Sequence, residues 1–99
     1  GVGNDLLVFA RGNATAAGGG GVDVFRFADA YTAGNTVTIT DFAVGTDKLQ
    51  LAGYTGAGTD VDGVVSNTTD SGGTTLTLSD GTRIVMTNVT TAGDVNRFL

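Results

Sequence analysis

All ten acidic residues in this 99-residue chain are Asp, and Glu, His and Cys are absent. Without His or Cys there is neither the commonest general base nor an imidazole or thiolate metal ligand. The available chemistry is that of short carboxylates, hydroxyls and backbone carbonyls. Two of the carboxylates have a distinctive setting. Asp5 ends Gly1-Val2-Gly3-Asn4-Asp5, and Asp23 ends Gly18-Gly19-Gly20-Gly21-Val22-Asp23. Glycines permit tight turns at positive φ that expose backbone carbonyls, and the Asp adds a hard anionic oxygen beside them. Such a donor set suits Ca²⁺, which takes about six to eight oxygens.

The elements that must bring these oxygens together follow from a repeat. Slid by eighteen, Gly1 falls on Gly19, Gly3 on Gly21, Asp5 on Asp23, Leu7 on Phe25 and Phe9 on Phe27. The second copy fits G-G-x-G-x-D-x-U-x at every fixed position, with Phe25 as the large apolar U. Each x-U-x predicts a short strand, and two nonapeptides make one coil of a parallel β-roll. Residues eighteen apart then stack, and the turns of Asp5 and Asp23 lie one above the other. A flexible glycine linker at 17–21 requires neither the following Asp and Phe nor their counterparts eighteen residues earlier. The intervening stretch, Phe9 to Ala17, keeps Gly12 but has Ala14 where the Asp should stand, so no ion is expected on that edge. One full site is the expectation; Asp41, a further eighteen past Asp23, could cap a second, incomplete one, but no glycine-rich turn precedes it.

Composition narrows the class. Seventeen Gly and seventeen Thr oppose a helical protein and favour short strands between turns. A net charge of −5 argues against a nucleic-acid partner, whose phosphates would be repelled. No run of apolar residues is long enough for a membrane span. The opening Gly1-Val2-Gly3 carries no initiator Met and no signal-peptide pattern, and reads as a segment of a longer polypeptide.

The expected fold is all-β: a short parallel β-roll over 1–27, continued over 28–99 by a β-sandwich-like segment with an antiparallel hairpin, in one domain. Residues 28–35 read as a loop, and Thr36 to Phe42 as an alternating strand. Gly45 marks a turn, and Lys48 to Leu51 a strand with Leu49 and Leu51 inward. Residues 52–60 are the least structured, and Val61 to Val65 form a weakly marked strand. Thr74 to Thr87 form a hairpin. A three-residue loop, Ser79-Asp80-Gly81, pairs Leu76 with Ile84 and Thr74 with Met86 and puts Leu76, Leu78, Ile84 and Met86 on one face. A two-residue loop would split them. At about 1.5–3 kcal/mol per buried large side chain, the single apolar face decides the register, with Gly81 in the left-handed position of a G1 bulge. The tail from Thr90 docks Phe98 and Leu99.

Taken together, these features resemble the C-terminal region of RTX proteins, the hemolysin-type calcium-binding exports of type I secretion. The glycine repeats carry the resemblance first. Val24-Phe25-Arg26-Phe27, Ile39-Thr40-Asp41-Phe42 and Gly45-Thr46-Asp47-Lys48-Leu49-Gln50-Leu51 are similar to the block that follows the repeats in serralysin-type proteases. Thr75 to Gly81, Ile84-Val85-Met86 and the end from Asp94 to Leu99 resemble the late hairpin and terminal export signal. Val37 stands where family members often carry an Asp, and only two repeats are well formed, which leaves one full site as the expectation. The resemblance implies a Ca²⁺ site built from Asp5, Asp23 and the carbonyls of Gly1, Gly3, Gly19 and Gly21. It also implies a non-catalytic module of a larger secreted bacterial protein, with the type I secretion apparatus as partner and an extracellular or cell-surface location.

Two rivals remain. An enzyme would have to use Asp pairs such as Asp60 and Asp62, or Lys48, Tyr31 or Tyr54. Exposed turn carboxylates and a solvated strand lysine explain these more simply. The other rival is a calcium-dependent structural or assembly module of a surface-layer or adhesin protein, self-associating at the cell surface. Polysaccharide binding would call for exposed aromatics, whereas the five Phe fall mostly at inward strand positions.

Overall fold

The computed structural model describes residues 3–9, 12–28, 34–54, 64–91, 93 and 98–99. Among the described residues eight strands form two sheets: β1 (Leu6–Val8), β2 (Ala14–Ala16), β3 (Val24–Ala28), β4 (Thr36–Ile39), β5 (Lys48–Ala52), β6 (Val64–Asp70), β7 (Gly73–Leu78) and β8 (Arg83–Met86). The first five alternate between the sheets, as a coiling chain requires. One sheet has the order β1-β3-β5 and is parallel throughout. The other has the order β2-β4-β8-β7-β6, parallel from β2 to β8 and antiparallel from β8 to β6. The protein is all-β, as its composition implies.

The first coil has the period of the repeat. Leu6 pairs with Val24, Leu7 with Phe25 and Val8 with Arg26, each eighteen apart. The second coil is longer. Val24 pairs with Lys48, a step of 24, and Ala14 with Val37, a step of 23. The segment joining β3 to β4 is therefore five residues longer than the one joining β1 to β2, and that joining β4 to β5 is one longer than that joining β2 to β3. Parallel pairing thus runs well past residue 27, with no break in either sheet there.

Between the sheets lies one core. Phe25, Phe27, Val37, Ile39, Val64, Leu76, Ile84, Met86 and Phe98 are wholly buried, with Phe42 and Leu78 almost so. The five Phe rings form a continuous series: Phe27 stacks on Phe9 at 4.8 Å, Phe9 on Phe25 at 6.4 Å, Phe25 tilts against Phe42 at 5.8 Å, and Phe42 meets Phe98 edge-on at 5.5 Å. Buried aromatic pairs add about 0.5–1.5 kcal/mol beyond their area.

The hairpin has the expected register. Leu76 pairs with Ile84 and Thr74 with Met86; the amide of Gly81 donates to the carbonyl of Leu78; and Gly81 has φ +89. Elsewhere the strands differ from expectation. β4 ends at Ile39, because the chain turns at Thr40, so the alternation breaks and Phe42 points into the core. β6 starts at Val64 and continues to Asp70. Its polar Ser66-Asn67-Thr68-Thr69 segment lacks an apolar alternation, and pairing with β7 defines it instead. Ala52 belongs to β5, and Tyr54 is buried, its hydroxyl donating to Asp80 at 2.9 Å. Phe98 is buried, while Leu99 stays 37% exposed. Tyr31, residues 55–60, Asp60, Asp62 and residues 94–97 lie outside the described residues.

Candidate metal centre

Three turns share the edge of the roll where the chain enters the parallel three-stranded sheet: residues 3–5 before β1, 17–23 before β3, and 40–47 before β5. Parallel pairing stacks them. The carbonyl of Asp5 accepts from the amide of Val24 at 2.8 Å, and that of Asp23 from the amide of Lys48 at 2.9 Å. Side chains repeat the pattern. Asp23 Oδ1 accepts from the amide of Asp5 at 3.0 Å, and Asp47 Oδ1 from the amide of Asp23 at 3.0 Å. Each acidic side chain thus reaches down one coil to the backbone of the one below.

Asp5 and Asp23 are brought together, as the eighteen-residue period requires. Asp23 is wholly buried, and among the described residues its Oδ2 has no hydrogen-bond partner. Leaving a buried polar atom unpaired costs about 1–3 kcal/mol, more when it is charged, and a cation removes that cost. The glycines pack directly against this carboxylate. A Cβ on Gly18 would overlap it, lying 2.7 Å from its Cγ. A Cβ on Gly21 would lie 2.5 Å from the Gly3 carbonyl oxygen and 3.0 Å from Asn4 Oδ1, at a backbone φ of +86. Gly19, at φ +79, also requires the left-handed region. Two layers of oxygen-bearing backbone therefore meet across a glycine-only contact. Gly1 lies outside the described residues.

Asp41 does not stack on Asp23. The longer second coil displaces it, and Asp47, 24 residues after Asp23, takes the next rung. Asp47 is 1% exposed, and its Oδ2 accepts from the amide of Ala43 at 3.0 Å. Asp41 instead lies over the start of the glycine turn, where Oδ1 accepts from Gly18 at 2.9 Å and Oδ2 from Gly19 at 2.8 Å. Among the described residues, no three acidic side chains converge as a metal-binding group.

Sequence reasoning missed Asp47 and two asparagines. Asn4 Oδ1 accepts from Val22 at 2.8 Å, and Asn13 Oδ1 from Thr36 at 2.7 Å. The second contact lies on the opposite edge, where Ala14 stands in place of an Asp. The signal available in the sequence was the recurring Gly-Asn pair at 3–4, 12–13 and 34–35.

An all-β roll with acidic, glycine-built turns defines a class, and a family follows from it. The family model described as Peptidase M10 serralysin C terminal matches residues 1–97, so the chain belongs to the serralysin C-terminal family. Comparison with curated proteins and with solved structures gives no match.

Proposed function

We propose that this chain is a non-catalytic calcium-binding module at the C-terminal side of a larger secreted bacterial protein, in which Ca²⁺ couples folding to type I export. The observation that carries the proposal is Asp23 Oδ2, buried and without a hydrogen-bond partner beside Gly18 and one coil above Asp5. Asp5, Asp23 and the carbonyls of Gly1, Gly3, Gly19 and Gly21 are the proposed ligands. Without a cation, stacked carboxylates repel, and four consecutive glycines have high backbone entropy to lose. Binding free energy then becomes folding free energy. Extracellular calcium modules have Kd of about 10⁻⁴–10⁻³ M, which leaves the site empty at cytosolic calcium and filled outside. The stabilisation grows as RT ln(1 + [Ca²⁺]/Kd), about 2.7 kcal/mol at a hundredfold excess over Kd.

Calorimetric titration of residues 1–99 with Ca²⁺ tests the site. Wild type is expected to bind in this range, and Asp23→Ala to lose binding or bind at least about tenfold more weakly. An unchanged isotherm in the variant defeats the assignment. Calcium-dependent export of a passenger fused to residues 1–99 tests the coupling.

A second reading, assembly at the cell surface, draws on the outward face of β1, where Leu6 and Val8 are 60% and 62% exposed. Light scattering with and without chelator separates this reading from the first: only an assembling module grows in mass with calcium.

A further inference from the structure

We propose that Asp41 is a positioning residue for the cation site, not one of its ligands, and that with Asp47 it grips both ends of the turn carrying Asp23. This rests on the proposed site at Asp23. The turn Gly18-Gly19-Gly20-Gly21-Val22-Asp23 contains four consecutive glycines and has little intrinsic preference for one shape. Both of its ends are nevertheless bound from the coil above. Asp41 takes the amides of Gly18 and Gly19 on its two oxygens, at 2.9 and 2.8 Å. Asp47 takes the amide of Asp23 at 3.0 Å and anchors itself on the amide of Ala43. From the coil below, Asn4 takes the amide of Val22.

The bonds to Asp41 and Asp47 are carboxylate–amide bonds, about twice as strong as neutral ones. In a trans peptide the N–H and the preceding C=O point in opposite directions. Drawing the amides of Gly18 and Gly19 towards Asp41 therefore turns the carbonyls of Ala17 and Gly18 away from it. Asp41 also has both oxygens engaged, whereas Asp23 Oδ2 has no partner among the described residues. The arrangement divides the labour: Asp23 meets the cation, and Asp41 sets the shape of the turn before the cation arrives. A turn ordered beforehand loses less entropy on binding.

The test compares Asp41→Asn, Asp23→Asn and the charge control Asp70→Asn, at the exposed end of β6. Each is measured by Ca²⁺ calorimetry and by amide hydrogen exchange of the metal-free protein. Asp41→Asn keeps one acceptor oxygen. It is expected to weaken Ca²⁺ binding about tenfold with stoichiometry unchanged, and to speed exchange at Gly18 and Gly19 before any metal is added. Asp70→Asn is expected to change neither. A lost ion with Gly18 and Gly19 protection intact makes Asp41 a ligand and overturns the proposal, as does unaltered affinity. The underlying site fails separately: Asp23→Asn then binds like wild type, while the exchange at Gly18 and Gly19 still reports on the Asp41 clamp.

Discussion

The four glycines from 18 to 21 are not equivalent, and their differences make a prediction. Gly18 lies against the Asp23 carboxylate, and Gly21 combines φ +86 with a close approach to the Gly3 carbonyl. Gly20 has open space around it and no positive φ, and it falls at the variable position of the repeat. Gly18→Ala and Gly21→Ala are each expected to destabilise by about 1–3 kcal/mol, the usual cost of forcing atoms into a packed site. Gly20→Ala should be neutral, or stabilising by up to about 1 kcal/mol through the unfolded chain. Urea denaturation at fixed calcium measures all three, and a Gly20→Ala loss as large as that of Gly18→Ala would contradict the packing described. The orphaned Asp23 oxygen belongs to the same scale, because the proposal of a cation site rests on that single buried atom.

Among the elements, the turn before β5 is tied to the end of β8 by one side chain. Asn88 Oδ1 accepts from the amide of Phe42 at 3.0 Å, and its Nδ2 donates to the carbonyl of Phe42 at 2.8 Å. It thus completes both backbone groups of a residue 46 positions away, much as a neighbouring strand would. Asn88→Ala leaves the part-buried Phe42 backbone unpaired and is expected to cost about 1–3 kcal/mol. It should also raise amide exchange across residues 40–47. A stability change without that local exchange signature would place the role of Asn88 elsewhere. The hairpin β7–β8 shows how far an element can be read locally. Four apolar side chains and one glycine specify its loop and register, because a one-residue slip would expose half of them.

Across the molecule, calcium dependence should be uneven. The coil holding β1 and β2 has short strands and depends on the turn beside Asp23. The β6–β8 region has antiparallel pairing and a wholly buried apolar face. Chelation is therefore expected to abolish amide protection in β1 and in residues 17–23 while β7 and β8 retain theirs, as read by hydrogen exchange. Uniform loss of protection would show a single cooperative unit in its place. The series of five Phe rings from Phe27 to Phe98 gives the ordered first coil a packed route to the far end of the chain.

Sequence alone determined the features governed by short-range repetition: the all-β class, the eighteen-residue stacking of Asp5 on Asp23, and the three-residue hairpin loop. In each, identical or alternating residues recur at a spacing the backbone itself dictates. Tertiary structure decided what insertions and distant pairings control. Six extra residues in the second coil put Asp47, not Asp41, above Asp23 and freed Asp41 to hold the glycine turn. The polar β6 and the parallel seat of β8 beside β4 likewise depend on partners far along the chain. A loop's length is visible in a sequence, but where it delivers the next strand is settled only when both sheets close over the same core.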